Sequence, residues 1–197
     1  MNSSPAASPV RWLLLFRIFS TDKLNKTNYF LTMRKVIFIN TFDEVKKLMI
    51  YESEEGVYLF GYDCVQDTVA IWDNWYLTLE EAKDYCEEIY QADKEKWINI
   101  SEPLNDCQHD FIMPTKIVGK ENGNPQWGHF QTLQNGKWVD NNYPEKYLNF
   151  GAMTGNERLW VSGLFDEFEK SKITDKPKAR QILTALQFDL NSINSIV

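Results

Sequence analysis

The densest group of side chains able to do chemistry is Cys107-Gln108-His109-Asp110. A cysteine nucleophile needs a base to take its proton and a third group to orient that base. On an extended segment Cys107 and His109 point the same way and Asp110 points opposite. Asp106 or Asp110 would then have to orient the imidazole across a bend. His129 is the other candidate base, and an amide or a thioester would be the substrate. Catalytic partners usually converge from distant sequence. The same four residues are therefore read first as a buried thiol, a histidine satisfied by a backbone carbonyl and an aspartate capping a turn. The expectation is a chain with no catalytic set, with Cys107, His109 and Asp110 the residues to inspect first.

Other chemistries lack their residues. Three cysteines, Cys64, Cys86 and Cys107, and two histidines are the whole stock of soft and imidazole ligands. No two cysteines share C-x-x-C spacing, so neither a metal nor another cofactor is expected. An odd number of unpaired cysteines fits a reducing compartment and a cytoplasmic location. Gly119, Gly123, Gly128 and Gly136 lie too far apart to cradle a phosphate, and no Gly-x-Ser-x-Gly elbow occurs. The paired acids Glu80-Glu81 and Glu87-Glu88 read as the solvated side of a helix.

The aromatic residues suggest binding rather than catalysis. Trp72, Asp73 and Trp75 stand between a strand and a helix start, and Trp127, His129 and Trp138 cluster around a hairpin. Trp and Tyr are enriched at interface hot spots, although large aromatics are mostly core residues. A strand through 127–133 would put Trp127 and His129 on one face. A small-ligand pocket lined by Trp72, Trp75, Trp97 and Trp127 is a further reading.

Charge divides the chain. Residues 1–32 carry Arg11, Arg17, Lys23 and Lys26 against Asp22, a net of +3. Residues 33–197 carry 17 Lys and Arg against 27 Asp and Glu, a net of −10, and the two recover the −7 of the whole. The leader's apolar run, Trp12 to Phe16, is too short for a signal peptide or a membrane span. Its composition is that of a transit peptide or of a non-structural extension ahead of a start at Met33, and the latter is expected. The acidic body argues against nucleic acid as a partner, because such binding rests on a basic surface. It suits a basic protein met by electrostatic steering.

The elements that must position these residues follow from pattern. A β-rich run at 36–39 precedes Thr41-Phe42-Asp43-Glu44, a capping box that predicts a helix over 42–50. Runs at 57–62 and 68–72 predict a hairpin across 63–67. Thr78-Leu79-Glu80-Glu81 opens a helix over 79–91. Short strands are predicted at 97–100 and 112–118, the second demoted to an edge by Pro114. Asn135-Gly136 predicts a hairpin. Thr154-Gly155-Asn156-Glu157 opens a helix to about 171, and Pro177 sits in the first turn of the next, giving an αα-hairpin. The fold class is α+β: an antiparallel sheet built from hairpins, two helices in the N-terminal half and a C-terminal helix pair. One domain over 33–197 is expected, the alternative being a helical satellite from about 152. The function expected is that of a non-enzymatic acidic binding domain, of immunity or inhibitor type, covering a basic protein.

Overall fold

The computed structural model describes residues 33–40, 44–141 and 146–197. Among these residues eight strands and five α-helices form an α+β fold. The larger sheet holds β1 (Met33–Phe38), β2 (Lys47–Ser53), β3 (Gly56–Tyr62), β4 (Trp72–Tyr76) and β5 (Ile98–Ile100), in the order β4-β3-β2-β1-β5, every pair antiparallel. The smaller sheet holds β6 (Thr115–Ile117), β7 (Phe130–Gln134) and β8 (Lys137–Asp140). The helices are α1 (Leu79–Tyr90), α2 (Gly155–Val161), α3 (Phe165–Thr174), α4 (Lys176–Ala185) and α5 (Leu190–Ile196).

Both faces of the larger sheet are covered over its centre. On one face Leu48, Ile50, Val57 and Leu59 pack with Ala82 and Cys86 of α1 and with Trp97. On the other, Val36, Phe38, Met49, Ile98 and Ile100 pack with Leu159, Leu164, Phe168, Ile182, Leu183 and Leu186 from the C-terminal helices. The helices thus share one apolar cluster with the sheet. The pleat sends alternate residues to opposite faces, and register turns that alternation into rows. Ile100, Arg34, Tyr51, Tyr58 and Trp75 lie side by side across all five strands. Ile98, Val36, Met49, Phe60 and Asp73 form the next row on the same face.

Local chemistry sets several boundaries. Thr78 accepts from the amide of Glu81, and the Glu81 carboxylate accepts from the amide of Thr78, closing the predicted box at the start of α1. Thr154 and Glu157 do the same for α2. Asn135 (φ 50°) and Gly136 (φ 75°) turn the β7–β8 hairpin through the left-handed region that Asn-Gly adopts at low cost. Pro177 sits in the first turn of α4, where no N–H is needed.

Three expected elements are corrected. The helix over 42–50 is not formed, since Lys47–Ser53 is the central strand β2; the residues of its box at 41–43 lie outside those described. Val45, Leu48 and Met49 match helical spacing only because β2 is buried on both faces and reads as a continuous apolar run. The strand expected at 68–72 begins at Trp72, and 63–71 is a long connection rather than a turn. The helix expected to reach about 171 breaks into α2 and α3 around Gly163 (φ 75°), where a Cβ would meet Asp67 Oδ2 at 2.7 Å.

Candidate functional site

Two regions gather the residues with functional potential, one at each end of the row that runs from Arg34 to Trp75. The first is a buried polar hub. Arg34 is 2% exposed and makes five hydrogen bonds to four backbone carbonyls. Its Nε donates to Ser101 O at 2.8 Å, Nη1 to Phe111 O and His109 O, and Nη2 to Ser101 O and Ile112 O. A guanidinium has five N–H groups, so its donor capacity is used up. Asp67 holds the same segment from the other side, accepting from the amides of Ile112 and Met113 at 2.8 Å each. Tyr62 donates its hydroxyl to Asp110 O, and the Asp110 carboxylate accepts from Ala70 N at 3.2 Å. Lys47, fully buried, donates to Gln66 O at 2.7 Å, stands 4.0 Å from Asp67 and lies 4.1 Å above the Tyr62 ring.

Burial governs the titration of these groups. It lowers Lys47, opposed by Asp67, and it raises Asp67, opposed by Lys47 and by the amides of Ile112 and Met113. It raises Asp110 and drives Tyr62 well above its usual range.

The three catalytic candidates lie on the segment that this hub fastens. Cys107 is buried, and burial together with Asp106 raises its thiol, the reverse of what an activated thiolate needs. His109 stacks on Tyr51 with ring centroids 4.4 Å apart. Loss of solvation lowers its pKa, and Arg34 and Lys120 lower it further. No hydrogen bond joins Cys107, His109 and the Asp110 carboxylate among the described residues; that carboxylate is engaged by Ala70 N. Among the described residues no three His, Cys, Asp or Glu side chains converge as a metal ion would require.

The second region is the open end of the row. Tyr51 stacks on Tyr58 at 6.4 Å, Tyr58 on Phe60 at 6.3 Å, and all three are partly exposed. Trp75 lies beside Tyr58 in register, 52% exposed, with its indole over Gly56, where a Cβ would come within 2.6 Å. Gly56 therefore lets the ring lie flat on the β2–β3 turn. Asp73 is exposed on the same face, and Val69 and Ile71 are exposed just ahead of β4.

The remaining aromatic candidates are scattered. Trp72 points to the opposite face, over Gly61 and against Tyr90 of α1. Trp97 is buried on the α1 side. Trp127 and His129 do not share a strand face, because β7 begins at Phe130 and 127–129 form a turn with Gly128 at φ 87°. Trp138 lies on β8, with Lys116 Nζ 4.8 Å from its ring. The pocket expected from Trp72, Trp75, Trp97 and Trp127 is thus not assembled. A cavity of about 400 Å³ between β1, the end of α1 and α4 is lined by Phe38, Asn40, Tyr90, Gln91 and Gln181 among others, and by none of those four.

No family model matches the chain, no curated protein matches it, and no solved structure matches it. Among the described residues no helix is long and apolar enough to cross a membrane.

The sequence named Trp75, Asp73 and His109 but not what unites the first two with Tyr51, Tyr58 and Phe60. That signal is cross-strand register, and it becomes readable once β2 is a strand. The hub was not readable at all, since Arg34 bonds carbonyls, which carry no residue signature.

Proposed function

We propose that this chain is a binding domain of inhibitor or immunity type that engages a basic protein through the Tyr51–Tyr58–Trp75 face. One observation carries the reading. Trp75, on a sheet covered on both faces at its centre, is left 52% exposed at the end of a stacked aromatic row. Rigid aromatics beside an acidic rim are the usual anatomy of a hot spot, with charge steering the encounter and rings anchoring it. Asp73 lies on that face, and the acids of α1 lie across the sheet from it. Residues 72–90 carry Asp73, Glu80, Glu81, Asp84, Glu87 and Glu88 against Lys83, a net of −5, and all six acids are exposed. Lys94, which pairs with Asp84 and Glu87, offsets only part of this. The hub supports the reading as well, because it ties down the backbone of the 109–113 segment and places His109 against Tyr51, beside that face.

The test is affinity capture from the source cells with the full chain and with its Trp75→Ala and Cys107→Ala versions, followed by calorimetry on the recovered protein. The expected result is one basic partner, held equally by the Cys107→Ala chain and about thirtyfold more weakly by the Trp75→Ala chain, the loss typical of a hot-spot aromatic. A partner indifferent to Trp75, or retained only by the Cys107→Ala chain, contradicts the proposal.

A further inference from the structure

The geometry points to strand addition as the way this face is used. An extended, Lys- or Arg-bearing segment of the partner pairs with the open edge of β4. This inference rests on the binding reading above and names its partner chemistry.

The edge can be oriented atom by atom. Gly61 O accepts from Ile71 N at 2.9 Å on the β4 side, whereas Tyr62 O accepts from Lys46 N at 2.8 Å on the β2 side. Backbone groups alternate in direction along an antiparallel strand. Val57, Leu59 and Gly61 therefore bond towards β4, and their register partners Tyr76, Asn74 and Trp72 bond back. Asp73 and Trp75 then turn their N–H and C=O groups outward, on the side where β4 has no neighbouring strand among the described residues. An added strand would meet those groups and, in the same step, the side chains of Asp73 and Trp75.

The other sheet edges suit this less. β5 is tied to α4, with Gln181 Nε2 donating to Trp97 O at 2.8 Å just before the strand. Of the smaller sheet's two edges, β6 is three residues long and Thr115 O already accepts from Gln108 N at 2.7 Å, and β8 carries Lys137 and Asp140 in balance. Exposed edges are ordinarily guarded by Lys, Pro or a very short strand. β4 has five residues, Trp-Asp-Asn-Trp-Tyr, with neither Lys nor Pro. Its guard is negative charge, which repels a second copy of this chain and admits a cationic strand. Main-chain bonds then supply affinity, and alternate side chains supply specificity.

The probe is a displayed library of random linear dodecapeptides, panned against the full chain. The enriched peptides are then synthesised and titrated by fluorescence anisotropy. The expected peptides are net basic and alternate apolar with charged residues. Backbone N-methylation, scanned along one of them, abolishes binding at every second position and is tolerated between. Asp73→Pro removes an outward N–H without touching the ladder to β3, so it abolishes binding. Asp73→Asn, which removes only the charge, weakens binding by about tenfold. Circular dichroism checks the fold of both variants, and the N-methyl scan needs neither. The inference is overturned by peptides without basic bias, by uniform or helical-period tolerance of N-methylation, by binding that survives in a folded Asp73→Pro chain, or by no enrichment. It is also overturned if sedimentation shows the full chain pairing with itself and Asp73→Pro dissolving that dimer. A captured partner that depends on Trp75 but ignores Asp73→Pro would end the inference and leave the binding reading standing. No partner and no peptide would end both.

Discussion

Arg34 and Trp75 lie on one cross-strand row, separated by Tyr51 and Tyr58. At the Arg34 end the charged and phenolic groups are tied down: five guanidinium bonds to carbonyls, two amides on Asp67, a phenol on a carbonyl, an ammonium on Gln66 O. At the Trp75 end the apolar ring faces solvent, and the outward backbone groups of Asp73 and Trp75 have no strand to pair with among the described residues. Rare residues in irregular segments, such as Cys107, His109 and Asp110, attract a catalytic reading. Here they lie where the polar groups are spent on holding the chain. Commonplace aromatics on a regular strand lie where valences remain open. On the proposed reading, unused valence rather than residue rarity separates the part that would recognise a partner from the part that supports the fold.

The largest effect should come from breaking the closed end. Arg34→Met leaves the carbonyls of Ser101, His109, Phe111 and Ile112 without their donor, and a loss of about 3–5 kcal/mol is expected in denaturant unfolding. Trp75→Ala in the same assay should change stability by less than about 1 kcal/mol, because it removes a half-exposed ring and no buried bond. Equal losses from the two substitutions would erase the distinction between the two ends.

A smaller effect tests how the hub is fastened to the helices. Burial alone would raise the Glu167 carboxyl, but hydrogen bonds from Lys178 and Ser101 outweigh it and hold the group below its ordinary value of 4.5. A carboxylate depressed in the folded state contributes stability that is present above its unfolded value and lost as pH falls through the folded one. Glu167→Gln should therefore cost about 1–2 kcal/mol at neutral pH, and that difference should shrink below about pH 4.5 as the native carboxylate protonates. A loss that does not vary with pH would show that Glu167 acts by packing alone.

The finest distinction is kinetic. With its thiol raised by burial, Cys107 should react with iodoacetamide at neutral pH more slowly than a free-thiol peptide, with Cys64→Ser and Cys86→Ser in place to isolate it. A faster reaction would return chemistry to the 107–110 segment.

How much of this was legible depends on how far apart the interacting residues lie. The boxes at Thr78 and Thr154, the Asn135-Gly136 turn and Pro177 act within a few residues, and each sits where the sequence placed it. β2 was misread because Val45, Leu48 and Met49 match helical spacing after a capping box. The buried place of Lys47 depends on Gln66 O, 19 residues on, and on the Tyr62 ring. The start of β4 slipped because Asp67 turns inward to amides 45 and 46 residues away. Arg34 reaches carbonyls 67 to 78 residues distant, and no local pattern announces such a contact. Trp75 and Asp73 were legible as binding candidates by type, but their shared face came only with the register of β3 and β4.

The most direct measurement is amide hydrogen exchange on the full chain, alone and saturated with the captured partner. The predicted result is slowed exchange centred on Asp73 and Trp75 and extending along 68–77, with 107–113 unchanged because the hub already protects it. Slowing confined to 104–113, with β4 exchanging as in the free chain, would contradict the account and move the site to the segment around Cys107.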